Sequence, residues 1–275
     1  MKSIKYNKLN DLTVVIPSIG RNYDLDNTIK FLNKGMNKPK QIIAIIPKAE
    51  LININLGKHK NLIIFISNQY GQVNQRIHGF NLSKTNFTLQ LDDDCFISQE
   101  AIYELKKNLV KLGKKNCVGP IFLSNRNEPL HKFKNTFLTN LLSLIFEIPI
   151  GKKKMGKTNY MNLNYGIDPD ISMDDLESVQ WIPGGCKLMY TSELIKDKYY
   201  KFPGKAYYED IIHSRLLKEE NIKMWISKKS ICKTDTVHFT YKEIPFIKNV
   251  VRSNFGNKIF KYWIWLLLVK LKKSI

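Results

Sequence analysis

The stretch Thr88-Leu89-Gln90-Leu91-Asp92-Asp93-Asp94 joins an apolar strand to three consecutive carboxylates. Side chains alternate between the two faces of a strand, so Asp92 and Asp94 can converge while Asp93 points elsewhere. Three adjacent acidic side chains repel one another, and a buried strand end tolerates them where a cation compensates their charge. The stretch therefore predicts a divalent-metal site at the end of a strand. The alternative is a solvated acidic turn that caps the helix beginning near Ser98.

Around this stretch, apolar runs of strand length alternate with helical patterns. Strands are predicted over residues 12–17, 41–46, 62–67 and 87–91. Helices are predicted over residues 24–34, 71–82 and 98–112. The near-continuous apolar strands are typical of a parallel sheet covered on both faces. The first 123 residues therefore predict an α/β doubly wound architecture, whose ligands bind beyond the carboxyl ends of the strands.

The pattern weakens after residue 123 and returns later in the chain. Trp181-Ile182-Pro183 is expected to form a buried strand that leads into Gly184-Gly185. A helix is predicted from Glu209-Asp210, and a strand over residues 224–226. Residues 244–275 form a basic and aromatic tail.

The charge of the chain points to an anionic partner. Its 44 Lys and Arg against 24 Asp and Glu give a formal net charge of +20. Nucleic acid, anionic lipid and phosphorylated small molecules all suit such a charge.

The cysteines and the chain start bear on the cellular compartment. Four widely spaced cysteines argue against a zinc ribbon or a disulfide framework and fit a reducing cytoplasm. The start of the chain lacks the apolar core of a signal peptide, and no stretch reaches the ~20 apolar residues that span a bilayer. The sequence therefore predicts a protein that is neither secreted nor transmembrane.

Several short motifs follow one another in a recognisable order. They are Val14-Val15-Ile16-Pro17-Ser18, Gly71 with Gln75-Arg76 and Gly79, Leu91-Asp92-Asp93-Asp94, Trp181-Ile182-Pro183-Gly184-Gly185-Cys186, Glu209-Asp210 and His238. In this order and spacing the chain resembles the bacterial family 2 glycosyltransferases over residues 12–239. One departure is Ile45-Ile46-Pro47-Lys48, where many relatives carry an acidic pair that reads the nucleobase.

The resemblance implies a GT-A-type nucleotide-diphospho-sugar transferase fold with a mainly parallel sheet. One catalytic domain would span residues 1–243, with a nucleotide-sugar-binding half at 12–123 and an acceptor-binding half at 124–243. The implied reaction is a metal-dependent, inverting transfer of a sugar from a nucleotide diphosphate to a hydroxyl group, with a UDP-sugar as the favoured donor.

The same resemblance implies the metal ligands. Asp94 would coordinate the metal directly, and Asp92 would bind the metal or the nucleoside sugar, with Asp93 in support. His238 would complete the coordination, although a single His in a mixed strand is more often a packed or surface residue. Oxygen ligands favour Mg²⁺ or Mn²⁺ over zinc.

Donor binding is assigned to groups around the first strand and the second helix. Arg76 lies beside an apolar stripe on its helix, so it can project toward the sheet edge and reach a diphosphate or the base. The alternative for Arg76 is a solvated side chain. Pro17 and Ser18 end the first strand, where they can contact the nucleoside, and Arg21 follows them.

The catalytic base and the acceptor site are assigned to the second half. Asp210 would take the proton of the acceptor hydroxyl, while Glu209 orients the acceptor. Capping of their helix by both carboxylates is the alternative. Gly184 and Gly185 would let backbone approach a ligand, unless they form a plain tight turn. Trp181 would stack on a sugar face, unless it belongs to the core.

The tail from residue 244 is predicted to be helical. Its aromatic and leucine residues precede Lys270, Lys272 and Lys273, a composition suited to an anionic membrane interface. The alternative is a helix packed on the catalytic domain. The membrane interpretation predicts a cytoplasmic protein peripheral to the inner face of the cell membrane, a glycan or lipid-linked acceptor, and a role in cell-surface polysaccharide synthesis.

Two other functions compete with the transferase. A metal-dependent nuclease or nucleotidyltransferase also uses clustered carboxylates and excess positive charge. The sequence has neither a two-metal spread of acids nor a nucleic-acid-binding motif, so no nucleic-acid partner is expected. A catalytically inactive, basic membrane-binding module is the other alternative, and the intact acidic residues and Arg76 argue against it.

Overall fold

The computed structural model describes residues 8–20, 22–48, 56–68, 71–130, 155–158, 166–170, 173–197, 209–234 and 263. The strands within these ranges are β1 (Leu12–Pro17), β2 (Gln41–Pro47), β3 (Leu62–Ser67), β4 (Phe87–Leu91), β5 (Cys95–Ile97), β6 (Asn116–Ser124), β7 (Leu176–Val179), β8 (Cys186–Tyr190) and β9 (Lys223–Thr234). The helices are α1 (Asn22–Leu32), α2 (Gln72–Leu82), α3 (Gln99–Leu112) and α4 (Glu209–Glu219).

The nine strands form one sheet in the order β3-β2-β1-β4-β8-β6-β9-β5, and β7 also pairs with β9. Strands β3, β2, β1 and β4 are mutually parallel, and β6 and β9 share their direction. Strands β5, β7 and β8 run the opposite way. The sheet is therefore mainly parallel, as the sequence predicts, and the acidic turn lies at its carboxyl edge after β4.

Helices cover both faces of the sheet. Side chains of the central strands alternate between the two faces and so contribute to two cores. Val14 and Ile16 of β1 belong to one core with apolar residues of α1 and α3. The other core contains apolar residues of α2 and α4, and Val15 of β1 lies against Gly79 on that side. This three-layer arrangement confirms the predicted α/β class.

The third helix shows how local sequence fixes an element. Ser98 accepts a hydrogen bond from the backbone N–H of Ala101 at 3.1 Å and so caps the start of α3. Gly113 ends the helix with a φ of 79°, in the region that favours glycine. Both ends agree with the predicted helix over residues 98–112.

Two sequence expectations are wrong. The apolar run of β3 is not covered on both faces: Ile63, Ile64, Phe65 and Ile66 are 37–47% exposed, because β3 lies at the edge of the sheet. Trp181-Ile182-Pro183 forms no strand and lies between β7 and β8, where Pro183 has no N–H to donate to a ladder.

Some predictions fall outside the described residues. These include the helical tail over residues 244–275, apart from Trp263, which lies in a helix.

The strand expected at residues 224–226 is confirmed within the longer β9. The division into halves at residue 123 stays a prediction.

Gly79→Ala tests the contact between α2 and β1. An added Cβ would lie 2.2 Å from Cγ1 of Val15, and Val15 has little rotamer freedom because it is β-branched. We expect a loss of about 1–3 kcal/mol in the free energy of unfolding, measured by urea denaturation. Gly57→Ala is the matched control, because Gly57 is exposed and its added Cβ meets only side-chain atoms at 3.3 Å or more. Equal stability of the two variants would contradict the packing described here.

Candidate functional site

The three aspartates form a tight turn between β4 and β5. The backbone N–H of Cys95 donates to the carbonyl of Asp92 at 3.1 Å, which closes the turn. The N–H of Asp92 donates to the carbonyl of Gly185 at 2.8 Å. The turn is therefore anchored to the segment that precedes β8, which pairs with β4.

Asp93 points into the protein. Its Oδ2 accepts a hydrogen bond from the hydroxyl of Ser18 at 2.6 Å, and its carbonyl accepts one from the hydroxyl of Thr28 at 2.8 Å. Asp93 is buried, whereas Asp92 and Asp94 are half-buried. Asp93 thus braces the turn against β1 and α1. The hydroxyl of Ser18 serves this brace, and its expected contact with a nucleoside stays a prediction.

Arg76 of α2 lies at the centre of the site with 1% of its surface exposed. One terminal nitrogen donates to Oδ1 of Asp92 at 2.6 Å, and the other donates to Oε1 of Glu209. The alternative of a solvated Arg76 is therefore wrong. The guanidinium joins the acidic turn to the start of α4, and its expected contact with the donor stays a prediction.

Burial and charge compete in this ion-pair network. Burial alone would lower the pKa of Arg76, but the carboxylates of Asp92 and Glu209 more than reverse the effect and raise it. Burial raises the pKa of Asp92, as does the charge of Asp94, while Arg76 opposes the shift. Arg76 therefore stays charged and favours the ionised form of Asp92.

The residue before Arg76 holds the ends of two strands. Nε2 of Gln75 donates to the carbonyls of Ser18 and Ile45, each at 2.7 Å. The N–H of Ser18 also donates to the carbonyl of Ile45 at 3.0 Å. Gln75 and Arg76 thus fix the chain after β1 and the turn after β4 from the same turn of α2.

Gly184 makes room for Glu209. A Cβ added at Gly184 would lie 1.9 Å from Oε1 of Glu209, so a side chain at this position would displace the carboxylate that pairs with Arg76. The carbonyl of Gly184 accepts a hydrogen bond from Nε2 of Gln90. The close approach expected of the Gly184-Gly185 pair is seen here toward Glu209, and a contact with an acceptor stays a prediction.

Asp210 lies in the first turn of α4. Its Oδ1 accepts a hydrogen bond from the N–H of Ile211 at 2.9 Å. Its carbonyl accepts one from Ser214 at 2.6 Å, and the Ser214 hydroxyl accepts one from the N–H of Ile182 at 3.1 Å. Burial and the negative charge of Glu209 raise the pKa of Asp210 to about 7. A carboxylate with this pKa can take a proton near neutral pH.

Lys187 and His213 also lie at the site, although they are not among the residues predicted from the sequence. Lys187 of β8 is 2% exposed, and its ammonium group donates to Nδ1 of His213 on α4. In sequence, Lys187 alternates with Cys186 and Leu188 as a solvent-facing strand residue would. No local pattern in the sequence indicates its burial, because the helices on the two faces of the sheet cover β8 only in the folded structure.

Of the remaining predicted site residues, the structure describes Pro17 and Trp181. Pro17 is buried at the end of β1. Trp181 is 3% exposed, which favours its alternative role in the core, and stacking on a sugar stays a prediction. Arg21 and His238 lie outside the described residues.

The residues present fit a hard divalent cation in part. Asp92 and Asp94 supply carboxylate oxygens, the ligands that Mg²⁺ and Mn²⁺ prefer. Within the described ranges, no group of three or more His, Cys, Asp or Glu side chains is arranged to hold a metal ion. Mg²⁺ sites often use one or two carboxylates and take further ligands from substrate phosphates. Two aspartates fit that kind of site.

Comparisons with known proteins show the fold. No family model matches the chain, and no curated protein matches it. Among solved structures it is similar to the crystal structure of GalNAc-T7 with UDP, GalNAc and Mn²⁺, with a TM-score of 0.57 and 14% identity. The chain has a GT-A-type fold. The similarity covers 82% of this chain and 43% of that one, so the chain spans less than half of that neighbour.

None of the helices in the described ranges is long and apolar enough to cross a bilayer. The expected association of the tail with a membrane surface concerns residues outside those ranges.

The Arg76→Met variant should unfold more easily than wild type, because the substitution leaves the carboxylates of Asp92 and Glu209 in a buried site without their cation. We expect a loss of about 3–5 kcal/mol in the free energy of unfolding, measured by denaturant titration. Lys30→Met is the control, since Lys30 of the Lys30–Asp26 pair, at 2.5 Å, has a side chain that is 59% exposed and such surface pairs contribute little. A loss no larger than that of the control would contradict the central role of Arg76.

Proposed function

We propose that the chain is a metal-dependent, inverting glycosyltransferase that moves a sugar from a nucleotide diphosphate to a hydroxyl acceptor, with a UDP-sugar as the favoured donor. The observation that carries the proposal is the Arg76 ion-pair network. It joins the acidic turn after β4 to the Glu209-Asp210 pair of α4, at the sheet edge where ligands of such folds bind.

The fold supports this choice of ligands. The structure of GalNAc-T7, to which the chain is similar, contains UDP, GalNAc and Mn²⁺. A nucleotide diphosphate bears the negative charge that the net charge of +20 would attract. Asp92 and Asp94 supply the oxygen ligands of a hard cation.

The proposed mechanism assigns one chemical role to each part of the site. Asp94 and Asp92 would hold the divalent cation, whose charge would stabilise the leaving diphosphate. Asp210 accepts the proton of the acceptor hydroxyl while the hydroxyl oxygen bonds to the anomeric carbon. The bond from that carbon to the diphosphate breaks at the same time, and the configuration inverts. Arg76 holds Asp92 and Glu209 in place throughout.

The wider role is also proposed. The resemblance to bacterial family 2 enzymes and the basic, aromatic tail support a peripheral enzyme on the inner face of the cell membrane. Its acceptor would be a glycan or a lipid-linked glycan in cell-surface polysaccharide synthesis. An anionic membrane surface suits the +20 charge.

Nucleotide binding tests the donor site. We expect UDP with Mn²⁺ to raise the melting temperature more than GDP, dTDP or CDP do. Ligand at 100 times its dissociation constant adds about 2.7 kcal/mol to stability, which is enough to measure as a shift. Chelator or Asp94→Ala should abolish the shift, measured by thermal unfolding of the full chain. Glu219→Ala, an equal charge change on the exposed Arg215–Glu219 pair, should leave it unchanged.

Two results would separate this site from simple charge attraction. A shift confined to another nucleotide would change the donor and keep the transferase. Equal shifts with all four nucleotides, independent of metal and of Asp94, would mean that the positive charge merely attracts phosphate, and the proposed function would fail.

The pH dependence tests the base. Because the pKa of Asp210 is about 7 in the ligand-free protein, kcat/KM should rise with pH through that value as the carboxylate loses its proton. Asp210→Asn should lower kcat by about 100- to 10,000-fold and leave the nucleotide-induced thermal shift intact. The check is a pH profile of nucleotide release from the donor. Full activity of Asp210→Asn would exclude Asp210 as the base.

A further inference from the structure

Lys187 is a buried cation that the proposed reaction does not use. It lies on β8, between β4 and β6 in the sheet, and is almost fully buried. A buried ammonium group is costly unless charges or hydrogen bonds compensate it. Within the described residues no carboxylate lies within 4.0 Å of its nitrogen, so its compensation comes from His213 and from charges farther away.

His213 connects Lys187 to the catalytic helix. Nδ1 of His213 accepts the hydrogen bond from the ammonium group. His213 lies three residues after Asp210 on α4, so the two side chains share one face of the helix. The contact therefore fixes the rotation of the turn that carries the proposed base.

The charge of Lys187 acts on the same turn. Both Glu209 and Asp210 favour the charged form of Lys187. Among the described titratable groups, Asp210 is affected by Glu209 on its own helix, by Lys187 on β8 and by Arg76 on α2. Arg76 is already bound to Asp92 and Glu209. Lys187 is thus the other buried cation that offsets the repulsion between Glu209 and Asp210.

We propose that Lys187 is a positioning residue for Asp210: its hydrogen bond to His213 fixes the first turn of α4, and its positive charge favours the ionised carboxylate of Asp210. This inference rests on the proposed function, because it takes Asp210 to be the base. Among the described residues, no hydrogen bond or ion pair joins Lys187 to the acidic turn or to Arg76, so it should affect the base without weakening nucleotide binding.

The protonation of the pair agrees with this arrangement. Burial lowers the pKa of Lys187, while Glu209 opposes the shift. Burial lowers the pKa of His213 well below its usual range, and the charges of Lys187 and Arg76 lower it further. His213 is therefore neutral, and its Nδ1 can accept a hydrogen bond from the ammonium group.

The test begins with a measurement that needs no turnover. In the full chain labelled with ¹³C at aspartate carboxyls, the Asp210 signal is assigned with Asp210→Asn and titrated by NMR. Wild type should titrate near pH 7, and Lys187→Met should titrate about one pH unit higher, since loss of an opposite charge shifts a carboxylate by about one unit or more. Lys223→Met, the same change at an exposed position of β9, is the matched control. An unchanged Asp210 signal in Lys187→Met would overturn the electrostatic part of the proposal.

The second measurement follows UDP release from UDP-GalNAc and UDP-glucose with Mn²⁺. Lys187→Met should lower kcat at both pH values, because the hydrogen bond to His213 is lost. The loss should be about fivefold larger at pH 7 than at pH 9, the difference that a shift of one unit in the Asp210 titration produces. The KM for the donor should stay the same. A loss that is equal at both pH values, or that appears in KM alone, would overturn the proposal.

His213 variants test the hydrogen bond apart from the charge. His213→Leu removes the acceptor and should lower kcat at pH 7 and pH 9 alike, whereas His213→Asn keeps an acceptor and should restore most of the rate. Full activity of His213→Leu would overturn the positioning role, and this variant also serves if Lys187→Met does not fold. If Lys187→Met shifts the Asp210 titration but wild type releases no UDP, the effect of Lys187 on Asp210 stands and the proposed UDP-sugar transfer fails.

Discussion

One buried guanidinium connects the parts of this site. Arg76 reaches from α2 to the turn after β4 and to the start of α4, segments that are far apart in the chain. A buried cation between two carboxylates requires accurate geometry, because each charge has lost its water. The surrounding structure supplies that geometry. Gly184 leaves room for Glu209, and Gln75 holds the strand ends beside Arg76. The acidic turn and the base helix are therefore placed relative to each other before any ligand binds.

Much of the fold could be predicted from sequence because the signals are local. The apolar runs of β1, β2 and β4 and the cap of α3 at Ser98 depend on residues a few positions apart, and the structure confirms them. The exposure of β3 could not be read in this way. Its apolar run resembles that of β2, and its edge position follows from the pairing of the whole sheet. The 3-residue β5 is too short to show a period of its own.

The sequence predicted which residues belong to the site better than it predicted which of them contact one another. The order of the motifs identified Asp92, Arg76 and Asp210 as candidates, but the ion pairs of Arg76 join residues up to 133 positions apart. No local pattern indicates whether a guanidinium binds phosphate or carboxylate. Lys187 was missed for a related reason, since its burial depends on where β8 lies in the sheet. Charged residues on central strands of a covered sheet are therefore candidates worth noting from sequence once the strand order is known.

The exposed edge of the sheet has a consequence for the behaviour of the protein in solution. Strand β3 presents four consecutive apolar side chains, and an uncharged edge strand of this kind is a template for pairing with another chain. It contains no Lys, Arg, Asp or Glu to prevent such contact. The net charge of +20 supplies a long-range repulsion between copies, which salt screens over about 10 Å at 0.1 M ionic strength. Colloidal stability should therefore decrease as ionic strength rises, the reverse of the behaviour of a protein that precipitates near zero net charge.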